Sequence, residues 1–388
     1  MPSLASAMSI SRRLEPFGVT IFSEITDLAV EHAAINLGQG FPDWDGPQFV
    51  KEAAARSLEG GHDQYPPSPG IPELRRAIAD RYGPLHGRRL DPGSEITVTA
   101  GCTEALTAAF LGLIDPGDEV VLIEPYYDSY PVGIALADAV GRYVTLRPPE
   151  FRLDPDELEA AFSPRTKAIV VNTPHNPTGR VFDREELEVI ADLCRRFDAI
   201  AIADEVYEEM TYQRDHLRLA TLDGMAERTL TLSSLGKTYS LTGWKVGWAI
   251  GAPELSRGLR AGHQFLTFTT PTPVQHGAVA ALRAPEEFYV ELRESYRWRR
   301  DLLVDGLEAA GLRPYSPEGT YFVMADHTGH GFGDDRSFCR HLVEAVGVAA
   351  IPPSAFYHRP EDGAGLVRFA FCKDEATLRE AIARLSNL

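Results

Sequence analysis

No apolar run in the 388-residue chain approaches the ~18 residues that a helix needs to cross a bilayer, so no membrane span is expected. The opening stretch, MPSLASAMSISRRLEPFG, has no apolar core of the kind a secretory signal carries. Cysteine is scarce: Cys102, Cys194, Cys339 and Cys372 are the four, and no two form a C-x-x-C pair. That usage fits reduced thiols in the cytoplasm rather than a disulfide framework. Basic residues are short too, with 38 Lys and Arg against 56 Asp and Glu and a net charge of −18. A nucleic-acid partner would meet a basic face, and none is legible, although local donors can still gather a small anion. Low-complexity tracts and internal repeats are absent, and no metal site is assigned.

Hydrophobic residues make up 44% of the chain, enough for a large core and two domains. Residues 1–20 read as an irregular arm and 21–34 as a helix. Two loops rich in glycine and proline follow, at 35–47 and around Tyr65, and Pro72 suits the first residue of a helix. In the first, Gly38 and Gly40 let the backbone approach a ligand. From 95 the pattern alternates. Strands are expected at 95–100, 119–124, 142–146, 167–172, 199–204, 229–232 and 246–250, with helices at 103–113, 129–138 and 184–197 between them. Apolar, β-branched runs separated by helices imply an α/β fold with a mostly parallel sheet covered on both faces. After about 285 the alternation stops. A long helix at 286–311, strands at 320–325, 348–351 and 366–371 and helices at 337–345 and 375–385 read as a second, smaller α+β domain. The boundaries expected are an N-terminal arm contributing to the small domain at 1–45, the large domain at 46–284 and the C-terminal small domain at 285–388.

In parallel sheets ligands bind beyond the carboxyl ends of the strands, and the chemistry-bearing residues fall there. The stretch SSLGKTYSLTGWKVGW (233–248) presents Lys237 after an apolar strand, with Ser234 three residues before it and Lys245 eight after. A lysine amine can form a Schiff base with pyridoxal phosphate, and a serine, a second cation and loop N–H groups can hold the phosphate. Rival motifs fail. The S-x-x-K here lacks the S-D-N and K-T-G of penicillin-binding enzymes, and a phosphate-loop spacing fails because Thr231 stands where glycine is required.

Gly101, Cys102 and Thr103 join a strand to a helix, where free N–H groups form an anion site. Glu104 is unhelpful to a phosphate there unless it turns away, and Cys102 reads as a small filler rather than a reactive thiol. Tyr126 and Tyr127 end a strand, where an aromatic can stack on a flat ring. The loop NTPHNPTG offers the amides of Asn172 and Asn176 to a phenolate oxygen, with His175 expected at the surface. Asp204 of DEVY can keep a pyridine nitrogen protonated, with Tyr207 beside it; an N-cap aspartate is the alternative. Arg368 is the one charge in the apolar run 366–371. It suits a substrate carboxylate, or else a structural salt bridge.

The motifs LGQGFPD, YPPSPGIPELR, EPYYDSYP, NTPHNPTGRVF, ADEVYE, SSLGKTYSLTGWKVGW and VRFAFCKDEATL together resemble those of fold-type I, class I/II aminotransferases, in the kynurenine and glutamine–phenylpyruvate branch. The likeness runs from about residue 12 to the C-terminus. It implies pyridoxal 5'-phosphate held on Lys237, with Asp204 on the ring nitrogen and Asn176 and Tyr207 on the ring oxygen. It further implies Tyr127 on the ring face and Gly101, Cys102, Thr103, Ser234 and Lys245 at the phosphate. Tyr65 would reach in from a second copy of the chain in a homodimer. Gly40, Asn176 and Arg368 would take the substrate carboxylate, with Phe22, Phe268 and Tyr65 around its side chain. The chain departs from the animal kynurenine enzymes at three positions. Thr269 follows Phe268 where they have histidine, Thr103 replaces an aromatic and Phe22 a tryptophan. An amino acid with an aromatic side chain, glutamine or methionine is therefore the expected donor and a 2-oxo acid the acceptor, in a ping-pong transamination. The alternatives are β-elimination from cysteine S-conjugates, aspartate or N-succinyldiaminopimelate specificity, and a non-catalytic regulator that senses the cofactor. The regulator is disfavoured because the enzyme motifs begin near the N-terminus and the chain is acidic.

Overall fold

The computed structural model describes residues 10–388. Residues 1–9 of the expected irregular arm lie outside the described residues, and 10–20 form turns without a regular element. The first helix is Ile21–Glu31, capped by the Thr20 hydroxyl and burying Ile21, Ile25 and Ala29. Pro72 opens the helix Pro72–Leu85 from its first position, where its missing N–H costs nothing.

A seven-stranded sheet forms the centre. Its strands are β1 (Ile96–Thr99), β2 (Glu119–Glu124), β3 (Val140–Thr145), β4 (Thr166–Asn172), β5 (Ile200–Asp204), β6 (Thr229–Ser234) and β7 (Gly247–Ile250). Their order across the sheet is β1-β7-β6-β5-β4-β2-β3. Only β7 runs against its neighbours, so the sheet is mostly parallel, as its apolar runs imply. Alternate side chains of one strand enter different cores. Val121 and Ile123 of β2 pack with Leu158, Leu187 and Ile190 from the helices Pro155–Ala161 and Arg184–Arg196. Val120 and Leu122 pack on the other face with Phe110, Ile134 and Leu259. These come from the helices Gly101–Leu113, Ser129–Leu136 and Pro253–Leu266. This two-faced burial is what makes the strands apolar throughout.

Beyond the long helix Glu286–Ala309, a three-stranded antiparallel sheet joins Arg313–Tyr315, Phe322–Asp326 and Leu366–Ala370. The short strand Ile35–Asn36 pairs in parallel with Val348–Ala349. One core unites Ile25 and Leu37 with Leu303, Phe369 and Leu378, so chain segments far apart in sequence fold together. That pairing carries the glycine-rich loop after Asn36 over the strand ends of the large sheet, where Gly40 meets Tyr321 and Lys237. No helix among the described residues is long and apolar enough to cross a membrane.

Candidate active site

One cavity at the carboxyl ends of β1, β2, β4, β5 and β6 collects nearly all of the expected residues. It is lined by Phe22, Gly40, Gly101, Cys102, Thr103, Tyr127, Asn172, Asn176, Asp204, Tyr207, Ser234, Lys237, Lys245 and Arg368. Two expected residues do not line it. Tyr65 is 84% exposed, and its ring meets the edge of Phe268, itself 42% exposed, at 5.5 Å. Within one chain this pair stands apart from the cavity.

Lys237 sits on the short turn of helix Leu235–Thr238 that follows β6. Its Nζ donates to the Tyr321 hydroxyl at 2.9 Å, and that hydroxyl donates onward to the Gly40 carbonyl at 2.5 Å. Burial pulls the amine down to about 8. A lysine so placed is partly neutral near physiological pH, which a nucleophile or proton acceptor requires. Asp204 ends β5, accepting from the Tyr130 hydroxyl at 2.8 Å and from the Val206 N–H at 3.4 Å. Burial pushes its carboxyl up, opposed by the Tyr130 hydrogen bond and the charge of Lys237. Turns follow Asp204 and no helix starts there, so the N-cap alternative fails.

Asn172 locks its own loop. Its Nδ2 donates to the Asp204 carbonyl and its Oδ1 accepts from the Asn176 N–H, both at 2.8 Å. His175, expected at the surface, is buried. Its Nδ1 lies 2.8 Å from the Thr178 hydroxyl, and burial takes its pKa down to about 3. It is a neutral packing element, because the polar sequence around it folds inward.

Arg368 is only 1% exposed. Nη1 donates to Asn176 Oδ1 at 3.2 Å and Nη2 to the Gly38 carbonyl at 2.7 Å. Phe322 lies 4.1 Å from its guanidinium carbon and Phe22 5.2 Å. Among the described residues no carboxylate oxygen comes within 4.0 Å, and buried Nε has no acceptor. The structural salt bridge is thereby excluded. A buried cation with a spare donor is costly to maintain unless an anion arrives, and burial lowers its pKa to about 10.

The anion cup is built from backbone. Gly101 has φ +78°, and a methyl there would lie 3.3 Å from Lys245 Nζ. A methyl on Gly247 would lie 2.7 Å from the Gly101 carbonyl carbon, so two glycines let β7 and the helix start touch. The N–H groups of Gly101, Cys102 and Thr103 belong to the first turn and have no partner within the helix. Lys245 has no ion pair among the described residues. The Cys102 thiol donates to the Ser233 carbonyl and burial pushes its pKa well up, in keeping with a filler role. No group of three His, Cys, Asp or Glu among the described residues could hold a metal.

The cavity also holds residues that the sequence reading missed. Tyr130 repeats the Tyr127 signal one helical turn later, in the same EPYYDSY motif, and could have been found. Gln39 and Phe322 line the cavity, and Tyr321 bonds Lys237, only because distant segments meet there.

A family model described as Aminotransferase class I and II matches residues 33–385. A probable N-succinyldiaminopimelate aminotransferase of Mycobacterium tuberculosis is 47% identical over 392 residues, covering 98% of both chains. Its solved structure superposes with a TM-score of 0.95, over 98% of this chain and 100% of that one. A kynurenine–oxoglutarate transaminase of Dictyostelium discoideum is 40% identical, over 97% of this chain and 96% of its own. A methionine aminotransferase of Escherichia coli is 41% identical, over 97% of each.

Proposed function

The chain belongs to the class I and II aminotransferases, whose members use pyridoxal 5'-phosphate, and on that premise we propose that its amino donors are L-amino acids with aromatic side chains, methionine or glutamine. As a transaminase it passes the amino group of an amino acid to a 2-oxo acid. The cofactor supplies an aldehyde for amines and a ring that stores the electron pair left at the substrate Cα. The residues fit that group: an amine with a depressed pKa, a carboxylate facing the cavity, and an anion cup with an unpaired cation. Lys245, Ser234 and the N–H groups of Gly101, Cys102 and Thr103 would hold the phosphate. Asp204 would take the ring nitrogen, Asn176 and Tyr207 the ring oxygen, and Tyr127 the ring face.

The observation that carries the proposal is Arg368, a buried guanidinium with no anionic partner of its own. Its fork accepts the substrate carboxylate and fixes the orientation of the Cα–H. Lys237 Nζ, as a neutral amine, takes the Cα proton and later returns one as general acid. The Tyr321 hydroxyl and the Gly40 carbonyl aim that nitrogen.

Side-chain preference rests on Phe22 and Phe322, which flank Arg368 and line the cavity. The lining cations are Arg368, Lys237 and Lys245, each with a role above, so the described residues leave none for a second carboxylate. The methionine and kynurenine enzymes among the relatives support this choice. The 47% identity to the mycobacterial enzyme favours a second reading, N-succinyldiaminopimelate. Comparing kcat/KM for methionine, phenylalanine, glutamine, kynurenine and N-succinyldiaminopimelate decides between them. A preference of tenfold or so for the last would replace the first reading.

A homodimer belongs to the same proposal. The exposed pair Tyr65 and Phe268, with Phe265 at 86% exposure nearby in sequence, is an apolar surface suited to a second copy, whose cavity Tyr65 would enter. The four free thiols support a cytoplasmic setting.

A further inference from the structure

Glu104 stands in the first turn of helix Gly101–Leu113, whose N-terminus forms the anion cup. A carboxylate there is a like charge close to any phosphate bound at the cup. The structure turns it away. Glu104 Oε2 accepts from the Ala100 N–H at 3.0 Å, and the two carboxylate oxygens lie 3.0 and 3.1 Å from His263 Nδ1. His263 is fully buried on helix Pro253–Leu266, and its Nε2 lies 2.9 Å from the Ser68 carbonyl oxygen.

Two of the three partners of the ring, the Glu104 carboxylate and the Ser68 carbonyl, are acceptors, and the third, the Thr267 hydroxyl 3.3 Å from Nδ1, can play either part. A carbonyl cannot donate, and neither can an ionised carboxylate. Because the two carboxylate oxygens lie nearer to Nδ1 than the hydroxyl does, both ring nitrogens donate, which makes His263 an imidazolium. Burial works against that charge, but the hydrogen bond and charge of Glu104 and the Ser68 carbonyl outweigh it, and the pKa stands above its ordinary value. The charged groups facing the ring are Glu104, from helix Gly101–Leu113, and Arg260, from its own helix. Arg260 opposes the charge and spends its guanidinium on Thr97 Oγ1 and the Ile96 carbonyl. The loop that carries Ser68 presents its carbonyl.

We propose that His263 is a positioning residue that neutralises Glu104 and holds it off the cup, keeping the N-terminus of helix Gly101–Leu113 and Lys245 a net-positive phosphate site. This rests on the reading that the cup takes the cofactor phosphate. Above the ordinary histidine range the ring loses its proton as pH rises, Glu104 is left uncompensated, and phosphate affinity falls.

The test is equilibrium binding of pyridoxine 5'-phosphate and of pyridoxine to the full-length chain, followed by protein fluorescence. The wild-type chain binds the phosphorylated ligand more tightly; equal binding of the two overturns the cup reading itself. With that preference established, His263→Gln raises the Kd for pyridoxine 5'-phosphate roughly tenfold and leaves pyridoxine within about twofold. His263→Gln with Glu104→Gln restores the wild-type value. Glu104→Gln alone flattens the fall of phosphate affinity between pH 7 and pH 9, which carries the test if His263→Gln does not fold. Unchanged affinity in His263→Gln, equal loss of both ligands, absence of rescue, or a wild-type pH profile in Glu104→Gln overturns the proposal.

Discussion

At Arg368 a charge is buried among the rings of Phe22, Phe322 and Phe356 with no carboxylate beside it. Such an arrangement costs stability in the absence of substrate. Arg368→Met should therefore stabilise the cofactor-free protein, by about 1–2 kcal/mol in denaturant titration, while lowering kcat/KM by roughly 10²-fold or more. Loss of stability would mean that the guanidinium serves the fold. Lys237 makes a related prediction. Its folded pKa of about 8 lies below the ordinary 10.5, so the folded state holds the ammonium less readily than the unfolded state. The penalty is complete below about pH 8 and disappears toward pH 10.5. Lys237→Met should be more stable than the wild-type cofactor-free protein at pH 7, by roughly 1–3 kcal/mol, with the gap closing by pH 10. Thermal unfolding across that range checks it. Arg368 was legible in the sequence as the single charge in an apolar strand. Tyr321 was not, because its partners Lys237 and Gly40 lie 84 and 281 residues away, and no local spacing encodes such a contact.

Among the elements, the central strands were legible because burial on both faces makes them apolar and β-branched, and helices separate them. Most ends shifted by a residue or two: the helix expected from Thr103 begins at Gly101 and that expected to Gly311 ends at Ala309, while the one expected to residue 34 ends three residues earlier, at Glu31. Among the described residues five α-helices went unassigned, namely Gln48–Glu59, Pro155–Ala161, Leu235–Thr238, Pro253–Leu266 and Thr272–Leu282. Pro253–Leu266 shows the reason. Gly258 and Gly262 weaken its propensity, yet packing requires them. A methyl on Gly258 would lie 2.8 Å from the Gly112 carbonyl oxygen, and one on Gly262 2.7 Å from that of Ala108. In an exposed helix Gly→Ala stabilises by up to about 1 kcal/mol. Here Gly258→Ala should destabilise by about 1–3 kcal/mol, because the helix bearing the anion cup must move. A rise in melting temperature would contradict this packing.

For the whole molecule, the fold class could be read from the alternation of apolar strands with helices and most of the cavity lining from motifs at strand ends, whereas Tyr65 and Phe268 stand outside the cavity of their own chain. That separation is intelligible if a second copy uses them. Phe265→Asp places a charge on the exposed apolar surface, and sedimentation should show dissociation of the assembly, with a loss of activity that higher protein concentration partly restores. A wild-type chain that is monomeric and fully active would remove the dimer from the account.

The central claim is that Lys237 and Arg368 serve one transamination site. Its most direct test is a half-reaction: the cofactor-loaded protein is mixed with methionine, phenylalanine, glutamine or N-succinyldiaminopimelate, without any acceptor, and the 2-oxo acid is counted. About one equivalent per chain is expected from at least one donor, and none from Lys237→Met. Failure of every donor, or an undiminished yield from Lys237→Met, would contradict it.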